Sequence, residues 1–393
     1  MAKKKNICFV TGSRAEYGLL VPLMKKIKSD KTFNLQIIAT CMHLSPEFGL
    51  TYREIEKDGF KIDEKVEMLL SSDSSIGISK SMGLGCIGLG ESYARLKPDM
   101  IVLLGDRFET FIAASVANVF RIPIAHLHGG EITEGAFDEA FRHSITKMSL
   151  LHFTSTEQYR NRVIQLGELP DRVFNVGAIG LDNVSTLPLL SKTELEKDLG
   201  ITFFKNNLLI TFHPVTTESG SAKRQCEELL KALSKRTNTF LLFTKANADT
   251  DGRIINTLIE KFVNEHPSTR AVFASLGQLR YLSVMKHVDA VVGNSSSGII
   301  EAPSFKIGTI NIGNRQAGRM KADSVIDCEP QEKSIGRVLE TLYSPAFQSQ
   351  LKKCVNPYGE GKSSKQILSI LKKTDFNKVQ TKYFFDIHLN TTL

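Results

Sequence analysis

Short runs of apolar and β-branched residues alternate along the chain with longer segments in which apolar residues recur every three or four positions. This alternation predicts the strands and crossover helices of parallel α/β sheets. In the first half, the predicted strands cover residues 6–11, 35–40, 100–104, 122–127, 152–154 and 173–175, and the predicted helices cover 17–29, 45–58, 76–96, 110–120, 139–147 and 156–166. In the second half, the strands cover 207–211, 239–244, 270–273, 290–292 and 309–312, and the helices cover 222–236, 251–265, 276–287, 299–304 and 332–342.

The length of 393 residues predicts two domains, because it exceeds what one hydrophobic core usually supports. We place one domain at residues 1–180 and the other at 181–362, with a glycine-bearing crossing at 177–182. Each is expected to be a Rossmann-like, doubly wound α/β unit, and the two are expected to face a central cleft. An amphipathic stretch at 363–373 predicts that the C-terminal part, 363–393, packs back onto the first domain.

Composition narrows the class of protein. Hydrophobic residues make up 41% of the chain and charged residues 23%, as in ordinary globular proteins. No apolar run approaches the roughly 20 residues of a membrane helix, so no membrane partner is predicted. No signal peptide is visible before the first strand, and the six cysteines form no CxxC pair, which predicts reduced thiols and a cytoplasmic location.

The net charge of +8 raises the question of nucleic acid. The basic residues are spread along the chain, tryptophan is absent, and no basic helix is interleaved with aromatic residues that could stack on bases. An anionic small substrate accounts for a modest positive bias equally well. We therefore predict no nucleic-acid partner.

A run of hydroxyl side chains, Ser295, Ser296 and Ser297, followed by Gly298, lies directly after the predicted strand at 290–292. Hydroxyls and free backbone N–H groups where a strand leads into a helix predict an anion site, and phosphate is its usual occupant. Glu301 follows about one turn later, where a carboxylate can accept hydrogen bonds from a ribose. The alternative is an ordinary serine-rich helix cap.

Polar residues at other strand ends point to the same ligand. Arg14 lies in the loop GSRAEYG after the first strand and is the natural phosphate contact there, or else a surface residue. This loop lacks the GxGxxG spacing, so NAD is not predicted and no cofactor is expected. His213 can donate to a phosphate or act as an acid toward a leaving group. Arg315 suits a diphosphate because a guanidinium binds in a bidentate manner.

The densest group of titratable side chains follows two strands of the first half. Asp106 lies at one strand tip as a catalytic or hydroxyl-binding carboxylate, or as half of a structural ion pair. The next strand leads into HGGE and then to further acids and bases: Glu131, Asp138, Arg142 and His143. Asp138 and Arg142 are spaced i, i+4, which also fits an ion pair on a helix surface. His126 and His128 alternate on a strand without evident carboxylate support, so no metal site is predicted.

Six motifs occur in order at these strand ends: GSRAEYG, GDR, HGGE with RHSITK, FHPVTT, GNSSSG and NRQAGR. Together, over about residues 6–320, they resemble the UDP-N-acetylglucosamine 2-epimerase family. The resemblance is greatest to its hydrolysing branch, which makes N-acetylmannosamine for bacterial sialic acid synthesis. It implies the two-Rossmann-domain fold called GT-B, no dependence on NAD, and assembly as a homodimer or homotetramer.

The resemblance also implies roles for single residues. Ser295 and Ser296 would hold the diphosphate of UDP with Arg14 and His213, Glu301 the ribose, and Arg315 and Asn247 the rest of the nucleotide. The sugar would contact a second set of residues: Asp106, Glu131, Asp138, Arg142, His143 and His43. Many relatives carry a glutamate where this chain has His128, so an acid/base duty of that glutamate would pass to Glu131, Asp138 or His128.

The implied chemistry is elimination followed by hydration. UDP leaves C1 of the sugar as the C2 proton is removed, which gives a 2-acetamidoglucal, and water then adds across the double bond. Asp106 and Glu131 are the predicted proton-transfer groups, while Asp138 and Arg142 shape the site.

Other functions stay open. The nearest alternative is hydrolysing 2-epimerisation of UDP-N,N′-diacetylbacillosamine in legionaminic acid synthesis. A non-hydrolysing epimerase and a glycosyltransferase of the same fold follow. A non-catalytic UDP-sugar sensor belongs to a different class, and the surplus of acids in the first half argues against it.

Overall fold

The computed structural model describes residues 4–70, 74–132, 138–214, 220–246, 252–376 and 381–387. The chain divides into two compact units. The first unit comprises the described parts of residues 1–132, 136–183 and 361–393, and the second comprises those of 184–360. The predicted boundary after residue 180 therefore lies slightly before the observed division at 183.

The first unit is built around a sheet of parallel strands. Its strands are β1 (Lys5–Thr11), β2 (Phe33–Thr40), β3 (Glu64–Val66), β4 (Met100–Leu104), β5 (Ile124–Leu127), β6 (Leu151–Thr154) and β7 (Val173–Asn175). Its helices are α1 (Arg14–Ser29), α2 (Tyr52–Lys57), α3 (Ser75–Leu96), α4 (Phe108–Val119), α5 (Asp138–Met148) and α6 (Glu157–Gln165). The strand order is β3-β2-β1-β4-β5-β6-β7.

Side chains that alternate along the strands fill a core on each face of this sheet. Ile7 and Phe9 of β1 lie in the cluster that includes residues of α1, whereas Cys8 and Val10 lie in the cluster that includes residues of α3 and α4. Both faces are covered, which is why the strands read as almost continuous apolar runs.

The second unit repeats this design. Helix α7 (Leu181–Thr186) spans the division, and β8 (Asn206–Thr211), β9 (Thr239–Thr244), β10 (Arg270–Phe273), β11 (Ala290–Gly293), β12 (Gly308–Ile312) and β13 (Val325–Cys328) form a parallel sheet in the order β10-β9-β8-β11-β12-β13. Its helices are α8 (Lys192–Leu199), α9 (Ala222–Ser234), α10 (Gly252–Glu265), α11 (Gly277–Met285), α12 (Ser296–Ile300), α13 (Glu332–Leu342) and α14 (Pro345–Lys353).

The last helix, α15 (Ser363–Lys373), belongs to the first unit. Ile367 and Leu371 are buried in the same core as α1, and Lys372 pairs with Asp30 at 2.8 Å. The amphipathic pattern at 363–373 thus corresponds to a helix whose apolar face is covered.

Two predicted helices differ from the structure. The prediction at 45–58 is wrong, because Pro46 begins a short 3₁₀ turn, Gly49 takes a left-handed conformation, and only α2 is α-helical. The prediction at 299–304 is shifted: α12 begins at Ser296, and Pro303 lies in a 3₁₀ turn. Ser296 and Ser297 are therefore part of the helix, and Ser295 is its N-cap.

In each sheet the strand order reverses direction at one place, between β1 and β4 and between β8 and β11. Ligands of doubly wound sheets bind outside the carboxyl ends of the strands at this switch point. The loops that follow these strands are therefore where a functional site is expected in each unit.

Candidate functional site

At the switch point of the first unit, Asp106 follows β4 and forms an ion pair with Arg142 of α5. Arg142 is buried and also donates from Nη1 to the backbone oxygen of His128 at 3.0 Å. The guanidinium therefore joins the ends of β4 and β5. The alternative of a structural ion pair between Asp138 and Arg142 gives way to this pair with Asp106.

Asp138, the first residue of α5, is partly buried. Burial raises its pKa to about 6, and the negative charges of Asp106 and Glu109 act in the same direction. Arg107 and Arg142 oppose this shift. A carboxyl group with a pKa near neutrality can both accept and return a proton, which is what a general base requires.

Glu131 is buried, and its Oε1 accepts hydrogen bonds from Ser155 Oγ and His128 Nδ1, both at 2.8 Å. The Nε2 atom of His128 accepts the backbone N–H of Ile179 at 3.3 Å, so the ring proton is on Nδ1. Both ring nitrogens of His128 are therefore engaged. His128 orients Glu131, and its ring offers no nitrogen for proton transfer in this arrangement.

The loop after β1 rests on two carboxyl groups that the sequence reasoning did not select. Gly12 N–H donates to Glu16 Oε2 at 2.9 Å, and a Cβ on Gly12 would lie 2.5 Å from Glu109. Glu109 accepts from Arg107 Nε at 2.5 Å. Burial raises the pKa of Glu16 to about 8. The i, i+4 spacing of Gly12 and Glu16 is the only local signal for this arrangement.

For three predicted residues of the first unit, the structure gives contacts with groups other than Asp106 and Arg142. Arg14 pairs with Glu54 at 3.3 Å on the surface. His43 is buried between two hydroxyls, at 3.1 Å from Thr11 Oγ1 and 2.8 Å from Thr51 Oγ1, and burial lowers its pKa to about 4. His143 contacts Glu139 of the same helix at 3.3 Å.

At the switch point of the second unit, Asn294 joins the ends of β8 and β11. Its Oδ1 accepts the backbone N–H of His213 at 2.7 Å, and its Nδ2 donates to the His213 oxygen at 2.8 Å. Its own backbone oxygen accepts from Arg315 Nη1 at 3.0 Å and from Gln316 Nε2 at 2.9 Å. The predicted anion-binding residues His213 and Arg315 are thus brought together on one buried amide.

The serine run forms a cluster of hydroxyls at the start of α12. Ser295 caps the helix by accepting Ser297 N–H at 3.4 Å, and the two Oγ atoms lie 3.0 Å apart. Tyr281 contributes a third hydroxyl, 2.6 Å from Ser297 Oγ. Gly298 is required here, because a Cβ would lie 2.7 Å from Thr309. The helix cap and the cluster of hydroxyls, which the sequence offered as alternatives, are therefore both present.

Two titratable groups flank this cluster. Burial and the nearby charge of Arg315 lower the pKa of His213 to about 4, so its ring is neutral at pH 7. Its Nδ1 has no hydrogen-bond partner among the residues that the structure describes. Burial raises the pKa of Glu301 to about 8. Asn247 lies outside the described residues.

Within the described ranges, no three His, Cys, Asp or Glu side chains come together as a metal site would require. In the same part of the chain, no helix has both the length and the apolar character to cross a membrane.

Residues 25–372 match the profile of the protein family described as UDP-N-acetylglucosamine 2-epimerase. The chain is 44% identical to GDP/UDP-N,N′-diacetylbacillosamine 2-epimerase (hydrolyzing) of Campylobacter jejuni, over 98% of this chain and 100% of that protein. It is 39% identical to polysialic acid biosynthesis protein P7 of Escherichia coli, over 98% and 97%. It is 35% identical to UDP-N,N′-diacetylbacillosamine 2-epimerase (hydrolyzing) of Legionella pneumophila, over 94% and 96%.

Solved structures show the same fold. The UDP-GlcNAc 2-epimerase of Neisseria meningitidis bound to UDP-GlcNAc superposes with a TM-score of 0.81 at 18% identity, over 94% of this chain and 100% of that chain. The enzyme of Methanocaldococcus jannaschii in complex with UDP-GlcNAc and UDP gives 0.73 at 17% identity, over 94% and 100%. The predicted fold class, two Rossmann-like doubly wound domains of the GT-B type, is confirmed.

Proposed function

Because the chain belongs to the UDP-N-acetylglucosamine 2-epimerase family, we propose that it is a hydrolysing 2-epimerase whose substrate is UDP-N,N′-diacetylbacillosamine. The sequence alone favoured UDP-N-acetylglucosamine and held this diacetamido sugar as the alternative. The order changes because two relatives that match nearly the whole chain, at 44% and 35% identity, carry the name of that activity.

One observation carries the reaction class. Burial raises the pKa of Asp138 to about 6, and the charge of Asp106, which is paired with Arg142, acts in the same direction. Asp138 is ionised at pH 7 and can remove the C2 proton of the sugar. As that proton leaves, the bond between C1 and the UDP oxygen breaks, and a 2-acetamidoglucal derivative and UDP result. Asp138 then holds the proton.

Hydration completes the reaction. Water adds its hydroxyl to C1. C2 receives a proton on the face opposite to the one from which the first proton was removed, and the free sugar epimerised at C2 is released. The net reaction consumes one water and gives UDP and the free epimer. We assign water activation to Asp106, the carboxylate that follows β4 and is paired with Arg142. Glu131 would have a supporting role, through its hydrogen bonds with Ser155 and His128.

The second unit would bind the nucleotide. The hydroxyls of Ser295, Ser296 and Ser297 and the guanidinium of Arg315 are suited to the diphosphate. His213 is neutral and its Nδ1 lacks a described partner, so the ring can donate to a phosphate oxygen of the leaving group. Glu301 would meet the ribose hydroxyls.

A second candidate substrate is UDP-N-acetylglucosamine, with N-acetylmannosamine as product. The observation in its favour is the 39% identity to a polysialic acid biosynthesis protein over almost the whole chain. The two candidates share every step of the mechanism and differ only at C4 and C6 of the sugar.

Parallel reactions in deuterated water, followed by proton NMR, test the proposal. We expect release of UDP and of a free 2-epimer with deuterium at C2, and a kcat/KM for the diacetamido sugar about 100-fold above that for UDP-N-acetylglucosamine. A matched GDP-linked sugar tests the nucleotide, since the name of the Campylobacter relative includes both. A higher kcat/KM for UDP-N-acetylglucosamine would favour the second candidate. A UDP-linked epimer would indicate the non-hydrolysing reaction, and no turnover of any sugar would refute both.

A further inference from the structure

A C-terminal segment, residues 381–387, is anchored to the first unit beyond the last helix. The Phe385 N–H donates to the backbone oxygen of Gly167 at 3.0 Å. The Phe384 ring covers Gly167 so closely that a Cβ there would lie 2.4 Å from the ring. Lys147 Nζ lies 4.7 Å from the centroid of the same ring. The segment is therefore held by both backbone and side-chain contacts.

Lys382 connects this segment to the end of α5. Its Nζ donates to the backbone oxygens of Thr146 at 3.1 Å and Ser149 at 2.6 Å, and it pairs with Glu168 at 2.7 Å. The Thr146 oxygen also accepts the Ser149 N–H at 3.1 Å, and carbonyls at the C-terminal end of a helix carry partial negative charge. An ammonium group at this place holds the final turn of α5 by hydrogen bonds and by charge.

Neutralising Glu168 does not require Lys382. This buried carboxylate also pairs with Lys147 at 2.7 Å and His152 at 3.0 Å. Removing Lys382 therefore leaves Glu168 with two other partners, and the fold does not acquire an unpaired buried charge. What Lys382 alone supplies, among these three basic groups, is the pair of contacts with the carbonyl of Thr146 in α5 and that of Ser149 directly after it.

Thr146 links the final turn of α5 to the surroundings of Asp106 and Arg142. Its Oγ1 donates to the backbone oxygen of Arg142, one turn earlier, at 3.1 Å, and lies 3.3 Å from His126 Nδ1. His126 Nε2 donates in turn to the oxygen of Gly105 at 2.8 Å. Gly105 precedes Asp106, the ion-pair partner of Arg142. The turn that Lys382 contacts is thus bonded to the backbone of Arg142, and it lies against the His126 ring that is bonded to Gly105, next to Asp106.

We propose that Lys382 is a positioning residue for the reaction: it fixes the final turn of α5 and so holds Arg142 and Asp138 in place beside Asp106. Its effect on turnover rests on the proposed function, whereas its effect on α5 can be measured without substrate. Small displacements of groups around a reacting bond cost large factors in rate, so a distant anchor can matter for catalysis.

The test compares Lys382→Met with Lys372→Met. Lys372 also ties a C-terminal element to the first unit, through Asp30, but its partner is not on α5. We expect Lys382→Met to raise amide hydrogen exchange in residues 138–148 about tenfold or more, with the strands of the first sheet unchanged. We also expect kcat to fall about tenfold, with KM and UDP affinity within about twofold of the parent. Lys382→Arg should restore most of the rate, and Lys372→Met should behave as the parent.

Several results would overturn this role. They are unchanged exchange in α5, an equal rise in exchange throughout the first unit, or a full kcat alongside a loosened α5. If the parent protein turns over none of the sugars, the proposed function fails. In that case hydrogen exchange still decides whether Lys382 orders α5.

Discussion

Asp138 and Asp106 are neighbouring carboxyl groups in different surroundings. Asp106 lies against the guanidinium of Arg142, whereas burial and the charge of Asp106 raise the pKa of Asp138 to about 6. Two titratable groups whose environments differ in this way are a common basis for assigning acid and base. We therefore propose Asp138 as the base, whereas the sequence favoured Asp106 and Glu131 for proton transfer.

Asp138→Asn tests this assignment. We expect kcat to fall by about 10²- to 10⁴-fold, since the variant cannot accept the C2 proton. In the parent, kcat/KM should rise with pH and level off above pH 6, because Asp138 must be ionised to act; this limb should be missing from the residual activity of the variant. Release of UDP between pH 5 and 8 measures both. Asp171→Asn, which changes an exposed carboxyl of the same unit, is the control.

Stability distinguishes catalytic loss from misfolding in this variant. The folded-state pKa of Asp138 is above its unfolded value of 3.8, so the contribution of this group to stability is fully present below about pH 4 and is lost as the pH rises through 6. Asn carries no such penalty. Relative to the parent, Asp138→Asn should therefore gain free energy of unfolding between pH 4 and pH 7. A variant that is less stable than the parent at pH 7 would contradict the pKa assigned to Asp138.

Among the elements, β11 depends on one residue for its approach to β8. Gly293 has φ 134°, and a Cβ there would lie 2.0 Å from the backbone oxygen of Thr211. Only glycine takes this conformation without strain, and no flexible side-chain end is available to move away. The approach brings Asn294 within hydrogen-bond distance of His213.

Gly293→Ala is expected to lower the free energy of unfolding of the second unit by about 2–4 kcal/mol and to weaken UDP binding. Gly336→Ala is the matched control, because Gly336 lies within α13 and a Cβ there meets nothing within 4 Å. That change should stabilise the protein by up to about 1 kcal/mol. Urea unfolding and calorimetric titration with UDP compare the two; equal effects would mean that the contact with Thr211 is unimportant.

The elements that sequence predicts well are those whose pattern is local. β4 and β9 are continuous apolar runs, and α13 has a regular amphipathic repeat, so their bounds agree with the structure. β3 was not predicted, because three residues containing Glu64 and Lys65 form a strand only by pairing with β2. β13 is similarly short and half-exposed.

The residues of the candidate site also fall into those that the sequence could predict and those that it could not. Asp106, His213 and Ser295 could be predicted, because parallel sheets bring polar residues after strand ends to one edge. Glu109 could not, since its contact with Gly12 joins the end of β1 to α4 across the sheet. The raised pKa of Asp138 also depends on burial and on charges distant in sequence, neither of which a motif contains.

At the scale of the whole molecule, two sheets with the same strand order carry different chemistry at equivalent places. The order of β3-β2-β1-β4 in the first unit corresponds to β10-β9-β8-β11 in the second. After β4 lies a carboxylate paired with arginine, and after β11 lies a group of hydroxyls beside Arg315 and His213. The fold supplies the position, and we propose that the residues at the strand ends suit the first unit to proton transfer and the second to phosphate binding.

This division predicts that turnover and nucleotide binding can be lost separately. Asp106→Asn should lower UDP release at least about 100-fold, yet keep the Kd for UDP within about threefold, because its change is confined to the first unit. Ser295→Ala should weaken UDP binding about tenfold, the loss of one hydrogen bond to a charged group. Calorimetric titration with UDP and a UDP-release assay, both on the full chain, give the two quantities. If Asp106→Asn weakened UDP binding as much as Ser295→Ala does, the carboxylate would be part of the nucleotide site, and the assignment of proton transfer to the first unit would have to be abandoned.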